Sequence, residues 1–115
     1  MDASKMDGVE LLALAGLALH LASADGKLTE EEADELRAMG EEIGGSDAFS
    51  NAISVAERRF PRVQDALDFA AGIEHRQARE LIHTLLTDLA NSDEMHAAEE
   101  DLLARLRLMW GIRVH

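Results

Sequence analysis

The chain of 115 residues contains no cysteine, which excludes disulfide bonds, thiolate zinc sites and cysteine nucleophiles. It has one proline and no tyrosine, and aromatic residues make up only 3% of the sequence. β-Branched residues are also sparse, so there is little material for strands. Alanine and leucine dominate instead, and this composition predicts an all-α protein.

Positive charge is scarce as well. Eleven basic residues face 23 acidic ones, and the formal net charge is −12. Such a chain repels phosphate backbones and anionic lipid, so nucleic acid and membrane surfaces are poor partners, while cations or a basic protein surface would be attracted. Hydrophobic residues make up 47%, a globular composition, and the length suits a single domain over residues 1–115.

A long hydrophobic run is also missing. The apolar stretch 9–22 is shorter than the ~20 residues of a membrane span, so we expect no membrane insertion. It leads into Ala22-Ser23-Ala24, which resembles a signal-peptidase site, but a signal peptide requires a positively charged start. Asp2, Asp7 and Glu10 stand there against only one basic residue, Lys5. We therefore predict a buried helix and a cytoplasmic protein.

Apolar periodicity and helix stop signals predict a compact bundle of about six helices. The first is apolar almost all round and is expected to be the central helix. Thr29-x-x-Glu32 has the pattern of a capping box before the second helix, and Pro61 should terminate the third. The predicted ranges are 5–24, 30–43, 46–60, 63–71, 74–91 and 97–110.

Two segments of the chain repeat each other. "LASADGKLTEEEADEL" (21–36) aligns with "LANSDEMHAAEEDLL" (89–103) when one residue is dropped after the aspartate. Each copy comprises the end of one helix, an acidic turn and the start of another, so the repeat is a helix-turn-helix unit. The alignment matches Asp25 with Asp93 and Glu32 with Glu99.

The first acidic turn resembles a calcium-binding EF-hand loop, but it lacks the first ligand. With Gly26 at the sixth position of such a loop, Leu21 occupies the first, where an oxygen ligand is required. A site shared by both turns is a different possibility. Four carboxylates would suit Ca²⁺, Mg²⁺ or Mn²⁺, and His96 would add a ligand for Zn²⁺. The candidate ligands are Asp25, Glu32, Asp93 and Glu99.

The same residues also have a purely structural interpretation. Glu32 can close the capping box with Thr29, and acids in a first helical turn favour the positive end of the helix dipole. Asp25-Gly26 fits ordinary turn chemistry, and Asp93 fits an N-cap. The residues alone leave both interpretations open.

Together the two motifs resemble the TerB family, which is associated with tellurite resistance and is itself similar to the N-terminal domain of a membrane-anchored DnaJ-type co-chaperone. The resemblance extends over about residues 8–112. It implies a metal site formed by the acids of two A-D-G turns and the following helix-start glutamates. Ala24-Asp25-Gly26 with Glu32 fits this pattern, whereas Ser92-Asp93-Glu94 departs from it and its turn is one residue shorter.

Our expected function is therefore divalent metal binding, in tellurite or metal stress response as the resemblance implies. The alternative is a helical adaptor whose acidic surface docks a basic partner without any metal. No Ser-His-Asp arrangement, phosphate loop or nucleophile elbow is present, so no enzyme activity is expected. Among single residues, we expect His20 to bond a neighbouring helix and Trp110 to lie in the core.

Overall fold

The computed structural model describes residues 5–23, 30–43, 46–91 and 97–112. Within these ranges the chain forms a bundle with extents of 32 × 30 × 26 Å, and its long elements are all α-helices. The all-α prediction is confirmed, and the helix ends differ from the predicted ones by three residues at most. The helices are α1 (Gly8–Ala22), α2 (Glu30–Glu42), α3 (Ser46–Arg59), α4 (Val63–Ala70), α5 (Arg76–Asn91) and α6 (Ala97–Trp110).

Helix α1 lies at the centre of the bundle, as predicted. Every residue from Ala13 to Leu19 is buried, and α1 packs against each of the other five helices. A helix without a polar face is stable in water only when neighbours enclose it. No helix in the described ranges is both long and apolar enough to cross a membrane.

The start of α1 differs from the prediction. The helix begins at Gly8 rather than at residue 5, because Asp7 caps it: its Oδ1 accepts the Glu10 backbone N–H at 2.8 Å, and Glu10 Oε1 accepts the Asp7 N–H at 3.0 Å. This reciprocal pair is a capping box. Glu10 is only 6% exposed, and its Oε2 lies 3.5 Å from His75 Nδ1. Glu10 therefore belongs to the cap that begins the helix.

Helix α1 is closely approached at Gly16 by Phe60, the residue that directly follows α3. A Cβ atom there would lie 2.7 Å from Phe60 Cδ2, so only glycine leaves room for the ring. One turn later, His20 Nε2 lies 2.7 Å from the Phe60 carbonyl oxygen. Because a carbonyl can only accept, Nε2 carries the proton and donates. We expected a bond from His20 to a neighbouring helix, and the structure places it at the residue that directly follows α3.

The C-terminal end of α6 is fixed by its glycine and its tryptophan. Gly111 has a φ of 65°, and the next residue, Ile112, donates its N–H to the Arg107 carbonyl at 3.0 Å. These are features of a Schellman motif. Trp110 lies in the core, as predicted, and its Nε1–H donates to the Ala70 carbonyl at 3.1 Å. This bond ties α6 to α4.

Candidate metal centre

The two sequence repeats correspond to two helix pairs, α1 with α2 and α5 with α6. Within each pair the helices contact one another, and α1 also packs along α5. The apolar positions that the repeat aligns are buried in both copies. This supports the alignment along successive helical turns of α2 and α6. The matched positions are Leu36 with Leu103, Met39 with Leu106, and Ile43 with Trp110.

The glutamates of the candidate site occupy equivalent places in the two copies. Glu32 is the third residue of α2, and Glu99 is the third residue of α6. Both side chains are partly buried, whereas the neighbouring Glu31 and Glu100 are exposed. Oε2 of Glu32 is shielded from solvent. A glutamate four residues before a buried leucine shares its helix face, so both carboxylates lie on the core side of their helix starts.

The aspartates of the candidate site, Asp25 and Asp93, lie outside the described residues, as do Thr29 and His96. Both the four-carboxylate ligand set and the capping box at Thr29 therefore stay predictions. Among residues 5–23, 30–43, 46–91 and 97–112, no three histidine, aspartate or glutamate side chains are grouped in a way that could hold a metal.

One described residue before the first acidic turn and one after the second line the same cavity. Ser23 directly precedes the first turn, Ala98 closely follows the second, and both line a cavity of about 340 Å³. The end of α1 and the start of α6 thus line the same cavity, whereas no described residue of α2 lines it. The other residues lining the cavity are His20, Pro61, Val63, Asp101, Leu102 and Arg105.

Polar groups of this cavity were not singled out from the sequence as candidate site residues. Asp101 and Arg105 form an ion pair at 3.0 Å, and both side chains are more than half exposed. Their i,i+4 spacing on a helix would have indicated the pair. Ser23 donates its hydroxyl to the Leu19 carbonyl at 2.7 Å. No sequence pattern could have placed Ser23 near α6, because the distance between them depends on how the helices pack.

Outside the candidate site, the Asp65 carboxyl and the His83 imidazole have shifted pKa values. The pKa of Asp65 is lowered, chiefly by a side-chain hydrogen bond from Arg62. The pKa of His83 on α5 is lowered mainly by burial and also by the positive charge of Arg107. Neither group belongs to the predicted ligand set.

Helix α2 is the most acidic of the six helices. It contains seven acidic residues and one arginine, and Arg37 is paired with Asp34 at 2.8 Å on the surface. This helix therefore presents a negative field to solvent next to Glu32.

The family model described as "Tellurite resistance protein TerB" matches residues 11–114, nearly the whole chain. No curated protein and no solved structure matches at a significant level.

Proposed function

The chain belongs to the TerB family, and from this membership we propose that it binds a divalent metal ion through Asp25, Glu32, Asp93 and Glu99. The observation that carries the proposal is the equivalence of Glu32 and Glu99. Both are partly buried third residues of repeated helices, and Ser23, before the first turn, lines the same cavity as Ala98, after the second.

The donor chemistry supports a hard cation. Four carboxylates supply only oxygen ligands, which suit Ca²⁺, Mg²⁺ or Mn²⁺ better than Zn²⁺, whose affinity would depend on an added histidine. Carboxylates gathered at one place repel each other, and a cation relieves that repulsion. Partial burial of Glu32 and Glu99 strengthens the attraction, because the effective dielectric constant falls away from bulk water.

We extend the proposal to the biological role that the family description suggests. The protein would take part in the response to tellurite or metal stress, in the cytoplasm, as a binding protein without a catalytic reaction. A sequence that lacks cysteine and a Ser-His-Asp arrangement supports a non-catalytic role. A metal-dependent hydrolase would need an open coordination position and a base in addition to the four carboxylates.

A second candidate function rests on the charge of α2. Its seven acidic residues form a surface to which a basic partner protein would be attracted without any metal. In this adaptor interpretation, Glu32 and Glu99 would only stabilise their helices, through the attraction of each carboxylate to the positive end of the helix dipole. This attraction contributes about 0.3–1 kcal/mol for each residue.

Calorimetric titration of EDTA-stripped protein with Ca²⁺, Mg²⁺, Mn²⁺ and Zn²⁺ separates the two functions. We expect stoichiometric binding of at least one hard cation. Glu32→Gln, Glu99→Gln and Asp25→Asn should each weaken it about tenfold or more, which corresponds to about 1.4 kcal/mol. A metal ion that binds the folded protein but not the unfolded chain should also raise the urea concentration at the midpoint of unfolding.

Glu31→Gln and Glu100→Gln are the matched controls. They remove the same charge from the same helical turns, but their side chains are exposed, so they should leave the affinity within about twofold. The absence of binding heat, or equal effects of the exposed and the partly buried glutamates, would contradict the shared site and favour the adaptor function.

A further inference from the structure

The cavity of about 340 Å³ beside the end of α1 has walls from three parts of the fold. The end of α1 contributes His20 and Ser23. The segment that leads into α4 contributes Pro61 and Val63. The side chains of His20 and Ser23 each bond a backbone carbonyl at 2.7 Å, and the ring of Pro61 fixes its backbone φ. These walls are therefore in place before a ligand enters, which reduces the entropy that binding costs.

Helix α6 provides the remaining wall of this cavity. Its lining residues have the spacing i, i+3, i+4 and i+7, which places them on one helix face: Ala98, Asp101, Leu102 and Arg105. Leu102 is buried, whereas Asp101 and Arg105 are more than half exposed. The cavity therefore combines an apolar surface, to which Val63 and Leu102 contribute, with a pair of opposite charges.

The ion pair in this cavity has unused bonding groups of both signs. Arg105 Nε lies 3.0 Å from Asp101 Oδ2, and neither side chain has a further polar partner among the described residues. A guanidinium has five N–H donors and a carboxylate has two oxygens, so the terminal nitrogens of Arg105 and Oδ1 of Asp101 are available to a ligand. A ligand with one charge would be attracted by one side chain and repelled by the other, whereas a ligand with adjacent charges of both signs would be attracted by both.

We propose that this cavity binds a free α-amino acid with an aliphatic side chain. The ligand carboxylate would bond the Arg105 guanidinium, its ammonium group would bond Asp101, and its side chain would pack against Val63 and Leu102. The volume lies at the lower end of the range of about 300–1,000 Å³ for small-molecule sites, which suits a ligand of this size. A zwitterion has no net charge, so the net charge of −12 on the protein does not repel it as it would repel an anion.

NMR titration of the ¹⁵N-labelled, EDTA-stripped protein with L-leucine tests the proposal. We expect saturable shifts of the Ser23, Val63 and Leu102 amide signals, with a dissociation constant of about 1 mM, because half-exposed charges each contribute little. Two analogues keep the isobutyl group but only one charge: 4-methylpentanoate lacks the ammonium group, and 3-methylbutylamine lacks the carboxylate. Each analogue should bind about fivefold more weakly than leucine. Glycine, which lacks the apolar side chain, should also bind more weakly.

Substitutions in the ion pair test the assignment of the two charges. Arg105→Gln and Asp101→Asn should each weaken leucine binding about fivefold, and their exposure means that neither should disturb the fold. The matched controls are Arg76→Gln and Glu80→Gln, which break another exposed i,i+4 ion pair, 3.2 Å long, outside the cavity on α5. They should leave leucine binding within about twofold. Ala98→Leu, which adds bulk at the cavity wall, should weaken leucine binding as well.

Glu32→Gln separates this cavity from the proposed metal centre, because no described residue of α2 lines the cavity. The substitution should leave leucine binding unchanged even though it weakens metal binding. The proposal would be overturned by shifts that do not saturate at about 10 mM leucine, tenfold above the expected dissociation constant. It would also be overturned by a single-charge analogue that binds as tightly as leucine, or by equal effects of Arg105→Gln and Arg76→Gln. Loss of leucine binding in Glu32→Gln would contradict a separate site, since the cavity would then be part of the metal centre.

Discussion

Gly16 lies in the middle of α1, where the ring of Phe60 packs against the helix backbone. An alanine Cβ at this position would lie 2.7 Å from Phe60 Cδ2 and 3.0 Å from Cε2. The ring has little freedom to retreat, because it also contacts Phe69 at a centroid distance of 5.1 Å. A shift of Phe60 would moreover disturb the bond from His20 to its carbonyl.

Gly16→Ala therefore brings two opposing effects. Alanine favours a helix interior over glycine by about 0.8–1.0 kcal/mol. Overpacking a filled core costs about 1–3 kcal/mol, and a weakened His20 bond adds about 0.5–1.5 kcal/mol. We expect the steric effect to dominate, with a net loss of about 1–2 kcal/mol in the free energy of unfolding.

Urea unfolding followed by far-ultraviolet circular dichroism measures this loss. The matched control is Gly8→Ala at the start of the same helix, where an added Cβ meets nothing within 4 Å. The control should leave stability unchanged or raise it by about 0.4–1 kcal/mol, because alanine reduces the freedom of the unfolded chain.

A double-mutant cycle identifies the cause of the loss. Phe60→Leu removes the ring, so Gly16→Ala should be less harmful in that background, with a coupling energy of about 0.5–3 kcal/mol. If Gly16→Ala stabilised the wild-type protein as much as Gly8→Ala does, the proposed contact between Gly16 and Phe60 would be refuted.

Two further predictions concern stability. Trp110→Phe should lower the free energy of unfolding, measured by urea titration, by about 1–2 kcal/mol, because it removes a buried hydrogen bond. The Ala70 carbonyl is not left without a donor, because it still accepts the Ile73 N–H. The control is Leu108→Ala on the same helix, which should change stability little. Since burial lowers the pKa of His83 below its ordinary value of 6.5, the folded protein binds fewer protons than the unfolded chain, and stability should fall as the pH drops below 6.5. The urea midpoint of His83→Gln should vary less between pH 7.5 and pH 5.5 than that of the wild type, and an identical pH dependence would contradict this.

Sequence patterns located the helices because most of the relevant signals are local. Pro61 follows α3 closely, since proline cannot continue a helix, and the apolar run of α1 required enclosure on every side. The predicted start of α1 was wrong by three residues, and the reason is local. Asp7 and Glu10 are three residues apart, as a capping box requires, and this pair begins the helix at Gly8.

The candidate site was predictable only in part. The internal repeat identified Glu32 and Glu99 as equivalent residues, and their partial burial at two helix starts agrees with that equivalence. Their carboxylates suit a proposed metal of the kind that prefers oxygen ligands. No sequence pattern predicted that Ser23 and Ala98 would line the same cavity. These residues are 75 positions apart in the chain, and the packing of α1 against α6 brings them to that cavity.

The sequence by itself determined that this protein is an all-α member of the TerB family with a central apolar helix, because helix periodicity, stop signals and the paired acidic motifs are encoded over a few residues each. Only the tertiary structure decided which surfaces remain open. Leu108 and Leu106 are the same residue two positions apart, yet one is 84% exposed and the other is fully buried. That difference arises from which face of α6 the other helices cover.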